Sequence, residues 1–341
     1  MKQIKFALAA AFVLSAITSV TFAKEETRMI LNKNNFKHYI TKFNSKDQEL
    51  HLDVVPGTKM IKNSDAWKFL QENIPFFECP DKEIEDIYYF RWWTYRKHIK
   101  STEDGFVITE FLPKVGWSKK HNTINCPVGH HFYEGRWIHA PKYLDDYSIF
   151  WFLKGGAPGG VCKCYSCWLP DAIYVRYLVT LDKALTVSLL DDLVKNWEAW
   201  GKEGLRLTKP MPTRLLPNGL YWQIDSWDGM EFSAGGSGAR PTINSYMYGD
   251  AVAISNIAAL AGDEELAEDF RQRAAKLKNV IQGKLWDKEA QFFKTRAYDN
   301  CRSNYGWDPR HPNDTLVPVR EEIGFIPWYF NLPDAEYSVK I

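Results

Sequence analysis

The 341-residue sequence has little that would direct it to a membrane, a nucleic acid or a nucleotide. One apolar run, from Phe6 to Ile17, is too short to cross a bilayer comfortably, and no later stretch is apolar enough to do so. Lysine plus arginine number 43 and aspartate plus glutamate 42. Such a balance gives no electrostatic reason to bind nucleic acid or anionic lipid.

Three motifs of common enzyme classes are also missing. The sequence has no G-x-S-x-G, no G-x-x-x-x-G-K-[ST] and no G-x-G-x-x-G. Hydrolysis by a serine triad, use of nucleoside triphosphates and dinucleotide chemistry therefore have no support in these residues.

The amino terminus predicts export. Lys2 and Lys5 precede the apolar run, and Thr21-Phe22-Ala23 resembles a signal-peptidase site. We therefore expect a signal peptide over residues 1–23 and a mature protein in the periplasm or outside the cell, not bound to a membrane. No cysteine lies near the cleavage point to carry a lipid anchor. An uncleaved anchor is the alternative.

The six cysteines are few for the length, and three of them cluster. Cys162, Cys164 and Cys167 lie in the run C-K-C-Y-S-C. A fourth ligand at zinc-ribbon spacing is lacking, so we expect a loop disulfide or free thiols. We expect neither a metal nor another cofactor.

Aromatic residues, by contrast, are abundant: 14 Trp, 17 Tyr and 20 Phe. Trp and Tyr combine a large apolar face with a polar tip. A sugar also has an apolar C–H face and a hydroxyl rim, so such residues suit carbohydrate clefts. A large helical core that uses many aromatics is the alternative interpretation.

The first third of the chain predicts a polar lead-in followed by helices. Residues 24–62 are typical of short strands and turns, or of the end of an upstream module. Helices are predicted over residues 65–73 and 82–99. The segment 105–112 (GFVITEFL) mixes β-branched and aromatic residues and predicts a strand.

Two later segments repeat one pattern, an apolar helix that starts at Asp-Ala, a short turn and a second helix. The first begins at Asp171 and ends near Trp200, and the second begins at Asp250 and ends near Leu285. The apolar residues of the last helix recur at steps of three and four, which places them on one face. They are Leu266, Phe270, Ala274, Leu277 and Ile281.

Each unit is therefore a predicted helical hairpin. Gly262 suits the left-handed end of one helix, and Asp263 suits the cap of the next. The region between the hairpins, residues 201–238, is rich in Gly, Pro and aromatics. Long irregular loops favour an α/α toroid over a solenoid, whose loops are shorter and more uniform.

The loop 221–250 concentrates acidic residues. Asp225, Asp228 and Glu231 lie within seven positions, next to Trp222, Trp227 and Phe232. Aromatic faces disfavour the charged form of a carboxyl group and raise its pKa, as a general acid requires. Trp222 and Asp225 are predicted to bind substrate. A surface loop with capping aspartates is the alternative.

Two further segments are candidates for sugar contacts. The run 88–98 alternates cations with aromatics, so Arg91, Trp92, Trp93 and Arg96 are predicted to bind substrate. A buried aromatic helix is equally compatible with that pattern. The run 129–137 (GHHFYEGRW) offers His131, Glu134 and Arg136 as pocket lining, and its spacing matches no strong zinc pattern.

Several of these segments resemble a known family. They are NIPFFECPD, YYFRWWTYRKHI, FVITEFLP, GHHFYEGRW, DGMEFS and RPTINSYMYGDA. They resemble the bacterial glycoside hydrolase domain similar to mannosylglycerate hydrolase, which is related to the (α/α)6-barrel clan of trehalases and processing α-glucosidases. The likeness covers about residues 65–335.

The resemblance implies roles for individual residues. The run Gly229–Ser233 is similar to the S-G-W-D-F-S-S motif of trehalases, which implies that Glu231 is the general acid in place of Asp. Asp228 stays open as the alternative. The resemblance also implies that Asn244, Tyr246, Glu134 and Arg136 contact sugar.

The clan inverts the anomeric centre, and its general base comes from a late segment. We therefore expect that base beyond residue 341 and a partial (α/α)6 domain over residues 63–341. The function expected is exo-acting, inverting hydrolysis of a terminal bond in an oligo- or polysaccharide. A non-catalytic glycan-binding protein and a toroid polysaccharide lyase are the alternatives. The oligomeric state stays open.

Overall fold

The computed structural model of this chain describes residues 31–49, 55–206, 209–211, 213–298 and 314–337. The predicted signal peptide, residues 1–23, and Cys301 lie outside these ranges. Within them, no helix is both long and apolar enough to span a membrane.

The described chain is mainly helical. Its helices are α1 (Lys37–Lys46), α2 (Asn63–Asn73), α3 (Lys82–His98), α4 (Val128–Gly135), α5 (Lys142–Leu153), α6 (Leu169–Thr180), α7 (Lys183–Ser188), α8 (Leu190–Ala199), α9 (Pro241–Ala261), α10 (Glu264–Leu285) and α11 (Ile326–Tyr329). Its strands are β1 (Lys59–Met60), β2 (Ile99–Thr102), β3 (Gly105–Ile108), β4 (Gly204–Arg206), β5 (Lys209–Met211), β6 (Trp286–Asp287) and β7 (Phe292–Phe293).

The lead-in differs from its prediction, because it contains a helix where short strands were expected. Tyr39, Ile40 and Phe43 fall on one face of α1 and are buried in the main core. This apolar face packs on α3. Among the described residues of the lead-in, Lys59–Met60 forms a strand, which joins β2 and β3 in an antiparallel three-stranded sheet.

The hairpin of α9 and α10 is confirmed. Gly262 ends α9 in the left-handed conformation, with φ 85°. The side chain of Asp263 accepts a hydrogen bond from the backbone N–H of Leu266 and caps α10. Phe270, Ala274, Leu277 and Ile281 are buried, as their spacing predicts, and Leu266 is half-buried.

The earlier hairpin is confirmed with one difference. Leu181 ends α6 in the left-handed region, and Asp182 caps the following helix. That helix is split at Leu189 into α7 and α8. The split follows Thr186, Val187 and Ser188, residue types with low helix propensity.

The helices α4, α6 and α9 lie side by side and run in the same direction. Gly129 of α4 adjoins Trp168, just before α6, and Tyr133 one turn later reaches Asp171. The ring of Trp168 in turn packs against Tyr246 of α9. Contacts thus advance together along all three helices, as they do in the inner ring of a toroid.

The two repeated units meet at their equivalent positions. The backbone N–H of Asp171 donates to the Oδ1 atom of Asp250 at 3.0 Å, across a sequence separation of 79. α10 packs along α9 and completes the paired-helix layer. The fold is therefore the predicted mainly helical, α/α-toroid-like arrangement.

The close approach of α4 to α6 depends on a missing side chain. A Cβ atom at Gly129 would lie 2.1 Å from the Trp168 ring, whereas a Cβ atom at Gly283 of α10 would meet nothing within 4 Å. We expect Gly129→Ala to lower the free energy of unfolding by about 1–3 kcal/mol because the ring must move. Gly283→Ala should raise it by up to about 1 kcal/mol.

Urea unfolding of the two variants measures both effects. Equal shifts of the same sign in both variants would contradict a specific packing role for Gly129.

Candidate active site

The acidic loop is tied together at its base. The backbones of Gln223 and Gly238 exchange two hydrogen bonds, at 2.8 and 3.1 Å. A Cβ atom at Gly238 would lie 2.4 Å from the carbonyl oxygen of Arg296, so only glycine fits this crossing. The residues between the two tied positions therefore form a closed loop that leads directly into α9.

Inside the loop, one buried guanidinium holds the chain in shape. Arg240 is fully buried. It donates to the Oδ2 atom of Asp228 at 2.6 Å, the hydroxyl of Ser233 at 3.1 Å, and the carbonyl oxygens of Gly236 at 2.6 Å and Met230 at 2.9 Å. A charge so far from water is stable only with such a set of acceptors.

Asp228 has a structural role in this network. Its side chain is fully buried, and its Oδ2 atom accepts from both Arg240 and the hydroxyl of Thr242. Its Oδ1 atom is buried without a partner among the described residues. Asp228 is thus the counterion of Arg240.

Glu231, by contrast, is presented to solvent. It is exposed, between Met230 and Ser233, which Arg240 fixes on either side. A second acid, Glu110, lies close enough to interact with it electrostatically. Burial, and after it the negative charge of Glu231, raises the pKa of Glu110. Two carboxyl groups in one place suit acid–base chemistry, since one can hold a proton while the other is ionised.

The sequence did not single out Glu110. It follows the strand β3, within the segment interpreted as a simple strand. An acid beside Phe111 and Leu112 at the end of a strand is the signal that could have identified it.

An aromatic cluster lies directly beneath the loop. Trp168, Tyr246 and Phe330 are buried together, and the rings of Trp168 and Tyr246 are 4.6 Å apart. A Cβ atom at Gly229 would lie 3.8 Å from the Tyr246 hydroxyl, so the loop rests on this ring. Burial, and then the charge of Asp228, raises the pKa of Tyr246.

Two acids lie deeper between the helices, at the starts of the two predicted hairpins: Asp171, which is partly buried, and Asp250, which is buried. Tyr133 donates to the Oδ2 atom of Asp171 at 2.6 Å. Burial raises the pKa of Asp171 to about 6, although that hydrogen bond and the charge of Arg136 act in the opposite direction. Burial also raises the pKa of Asp250 well above its usual range.

Several predicted substrate contacts lie elsewhere in the structure. Arg91 and Glu134 form an ion pair with each other at the surface. Arg96 is buried and donates to the Ile61 carbonyl and, at 2.8 Å, to Asn63. Trp93 donates to Asn44. Trp92 is buried and packs edge-on against Tyr95. The contacts of Arg96 and Trp93 therefore tie α3 to the lead-in.

His131 and Arg136 support the inner helices. The Nδ1 atom of His131 is 3.0 Å from the Tyr147 hydroxyl. Burial lowers the pKa of His131 to about 3, and the charges of His98 and His130 add to this effect. The Arg136 guanidinium lies 4.8 Å from the Tyr133 ring centre, next to the two acids between the helices.

The remaining predicted contacts lie under or beside the loop. Trp222 is buried, with the Arg214 guanidinium 4.0 Å from its ring centre. Asp225 is buried and accepts from the Ser226 N–H at 2.8 Å. The Asn244 side chain exchanges hydrogen bonds with the Tyr221 backbone at 2.8 Å in each direction. Of the predicted set, only Tyr246 joins the aromatic cluster beneath the acids.

The cysteines lie outside the acidic loop in sequence, but the carbonyl oxygen of Cys164 accepts a hydrogen bond from the Gln223 side chain at 3.2 Å. The five described cysteines carry free thiols, one of the two predicted states. Among the described residues, one group of three potential ligands comes within 4.8 Å, namely Glu103, Asp104 and His121. Asp104 is already paired there with Lys120 at 2.5 Å.

A sizeable cavity lies apart from the acids. It encloses about 650 Å³ and is lined by the C-K-C-Y segment and by residues of α8 such as Val194 and Lys195. None of the acidic-loop residues lines it.

Parallel inner helices, with an exposed acid in a long loop at the start of one of them, define a protein of the α/α-toroid glycoside hydrolase class. Residues 120–340 match the family model of the mannosylglycerate hydrolase MGH1-like glycoside hydrolase domain. The match extends over more than half of the chain, so the chain belongs to this family. No curated relative matches the sequence.

A solved structure supports the same class. A protein named "Sialidase" is 40% identical to this chain and superposes on it with a TM-score of 0.78. The alignment covers 90% of this chain and 26% of that one, so this chain spans about a quarter of the length of that protein.

The partly buried acid Asp171 makes the free energy of unfolding depend on pH. Its pKa is raised from 3.8 to about 6, so the folded chain binds this proton more tightly than the unfolded chain. This tighter binding of the proton contributes fully to the free energy of unfolding below pH 4, and the contribution is lost as the pH rises through about 6. Asp171→Asn should remove this slope and, at neutral pH, stabilise the fold by up to about 3 kcal/mol.

Urea unfolding between pH 4 and pH 7 tests this prediction, with the exposed Asp65→Asn as control. A constant difference between wild type and Asp171→Asn across that range would contradict it.

Proposed function

We propose that this chain is the helical domain of an exported, exo-acting, inverting glycoside hydrolase in which Glu231 is the general acid. One observation carries the assignment of the acid. Arg240 and Thr242 both donate hydrogen bonds to the buried side chain of Asp228. Glu231, in the same loop, is exposed to solvent near Glu110. An acid must reach the glycosidic oxygen, and of the two candidates only Glu231 is accessible.

The proposed reaction needs two carboxyl groups, and Glu231 is the one that acts as the acid. Glu231 donates its proton to the glycosidic oxygen as the bond from the anomeric carbon to that oxygen breaks. A carboxylate on the opposite side of the sugar takes a proton from the attacking water, which inverts the centre. Glu110 lies close enough to Glu231 for the charge of Glu231 to act on it. In this proposal the substrate is the terminal sugar of an oligo- or polysaccharide.

Substitutions of Glu231 and Asp228 distinguish a catalytic role from a structural one. Glu231→Gln should lower kcat by roughly 10²–10⁴-fold on substrates with poor leaving groups, because only those need the proton. Its stability should stay within about 0.5 kcal/mol of wild type, since the side chain is exposed. Asp228→Asn leaves a buried guanidinium without its counterion and should cost about 3 kcal/mol or more.

A panel of methyl and 4-nitrophenyl glycosides provides the measurement, with the exposed Glu264→Gln as a matched control. Glu110→Gln is compared on the same panel. Full activity of Glu231→Gln rules out its role as the acid. Binding of glycans without any turnover by the wild type favours a glycan-binding protein, and retention of the anomeric configuration in an NMR time course excludes inversion.

Export is proposed from the sequence of residues 1–23. Expression of the chain in a Gram-negative host should yield a processed protein whose first residue is Lys24, because cleavage follows Thr21-Phe22-Ala23. Mass spectrometry of the periplasmic and cytoplasmic fractions measures this. Replacing Ala23 with a bulky residue, as in Ala23→Tyr, should block processing. An unprocessed wild-type chain in the cytoplasm would contradict export.

A further inference from the structure

Phe232, which directly follows Glu231, is in an unfavourable state in two respects. Its φ is 54°, in the left-handed region that a bulky side chain rarely adopts. Its side chain is also 77% exposed, the highest value among the large apolar side chains of the described residues. Phe232 belongs to neither hydrophobic cluster in the described part of the chain. Packing within the fold therefore does not account for either feature.

Leu181 has the same two features as Phe232, but the end of a helix explains them. Leu181 also has a left-handed backbone, with φ 56°, and is 71% exposed. There the conformation ends α6, since the N–H of Leu181 bonds to the Tyr177 carbonyl at 2.7 Å. Phe232 ends no helix. Its conformation is imposed by Arg240, which holds Met230 on one side and Ser233 on the other.

Strain that the surrounding structure maintains at an exposed position is characteristic of binding sites. Glycine or asparagine would relieve the backbone at no loss of packing, because the ring makes little contact with the fold. The ring is instead exposed to solvent, on the residue that directly follows Glu231. An exposed apolar surface of this kind indicates contact with a ligand.

We propose that Phe232 is the platform on which the pyranose ring next to Glu231 lies. A pyranose presents an apolar C–H face to the aromatic ring and hydroxyl groups to the neighbouring carboxyl groups of Glu231 and Glu110. An apolar protein surface or a lipid would have to remove both carboxyl groups from water without compensation. The inference rests on the proposed function, because it assigns a subsite to the same cleft.

Binding and stability are expected to change in opposite directions. Phe232→Ala removes the platform and should weaken sugar binding roughly tenfold, whereas Phe232→Trp keeps an aromatic face and should stay within about twofold. Phe232→Gly also removes the ring, but it relieves the backbone and should raise Tm by roughly 1–3 °C. Leu181→Gly is the matched control: it should give a similar rise in Tm with no effect on binding.

The probes are methyl α- and β-pyranosides of glucose, mannose and galactose. Their binding is measured by saturation-transfer NMR in a Glu231→Gln background, so that turnover does not interfere. Unchanged affinity in Phe232→Ala, or no binding of any of these probes, overturns the platform. If the wild type hydrolyses nothing but binding still depends on an aromatic residue at 232, the hydrolase proposal fails and the platform stands.

Discussion

The structure of the candidate site depends on one buried charge, the guanidinium of Arg240. Removing an arginine from water is costly, so its hydrogen bonds must be made within the protein. Asp228, Met230, Ser233 and Gly236 supply the acceptors, all from the acidic loop. Because α9 begins one residue later, this network joins the loop rigidly to the inner helices. The exposure of Glu231 and the strained backbone of its neighbour both follow from it.

The acids of this region differ in their surroundings, and the surroundings assign their roles. Asp228 pairs with a guanidinium and faces inwards. Asp171 and Asp250 lie between helices, where burial raises the pKa of each. Glu231 is instead exposed, with Glu110 close to it. A carboxyl group serves as counterion, structural acid or proton donor according to solvent access and neighbouring charge.

The helical framework was largely predictable because it rests on local rules. The spacing of apolar residues identified α10, and Gly262 with Asp263 identified the turn before it. The lead-in helix α1 was missed, because its apolar face is short and is stabilised by packing on α3. The break at Leu189 was missed as well. Similarly, the aromatic run in α3 suggested a sugar site, but Trp93 and Arg96 instead tie that helix to the lead-in.

The sequence by itself determined the paired helices, the family and the loop that carries the acids, since periodicity, caps and motifs are local properties of a chain. Only the tertiary structure decided which acid is accessible. Asp228 and Glu231 are three positions apart and chemically alike, and the distant contact of Arg240 distinguishes them. The approach of Glu110 and the pairing of Asp171 with Asp250 also join residues far apart in sequence. Such contacts determine how exposed each carboxyl group is and which charges lie near it, so no pattern within one segment could specify these properties.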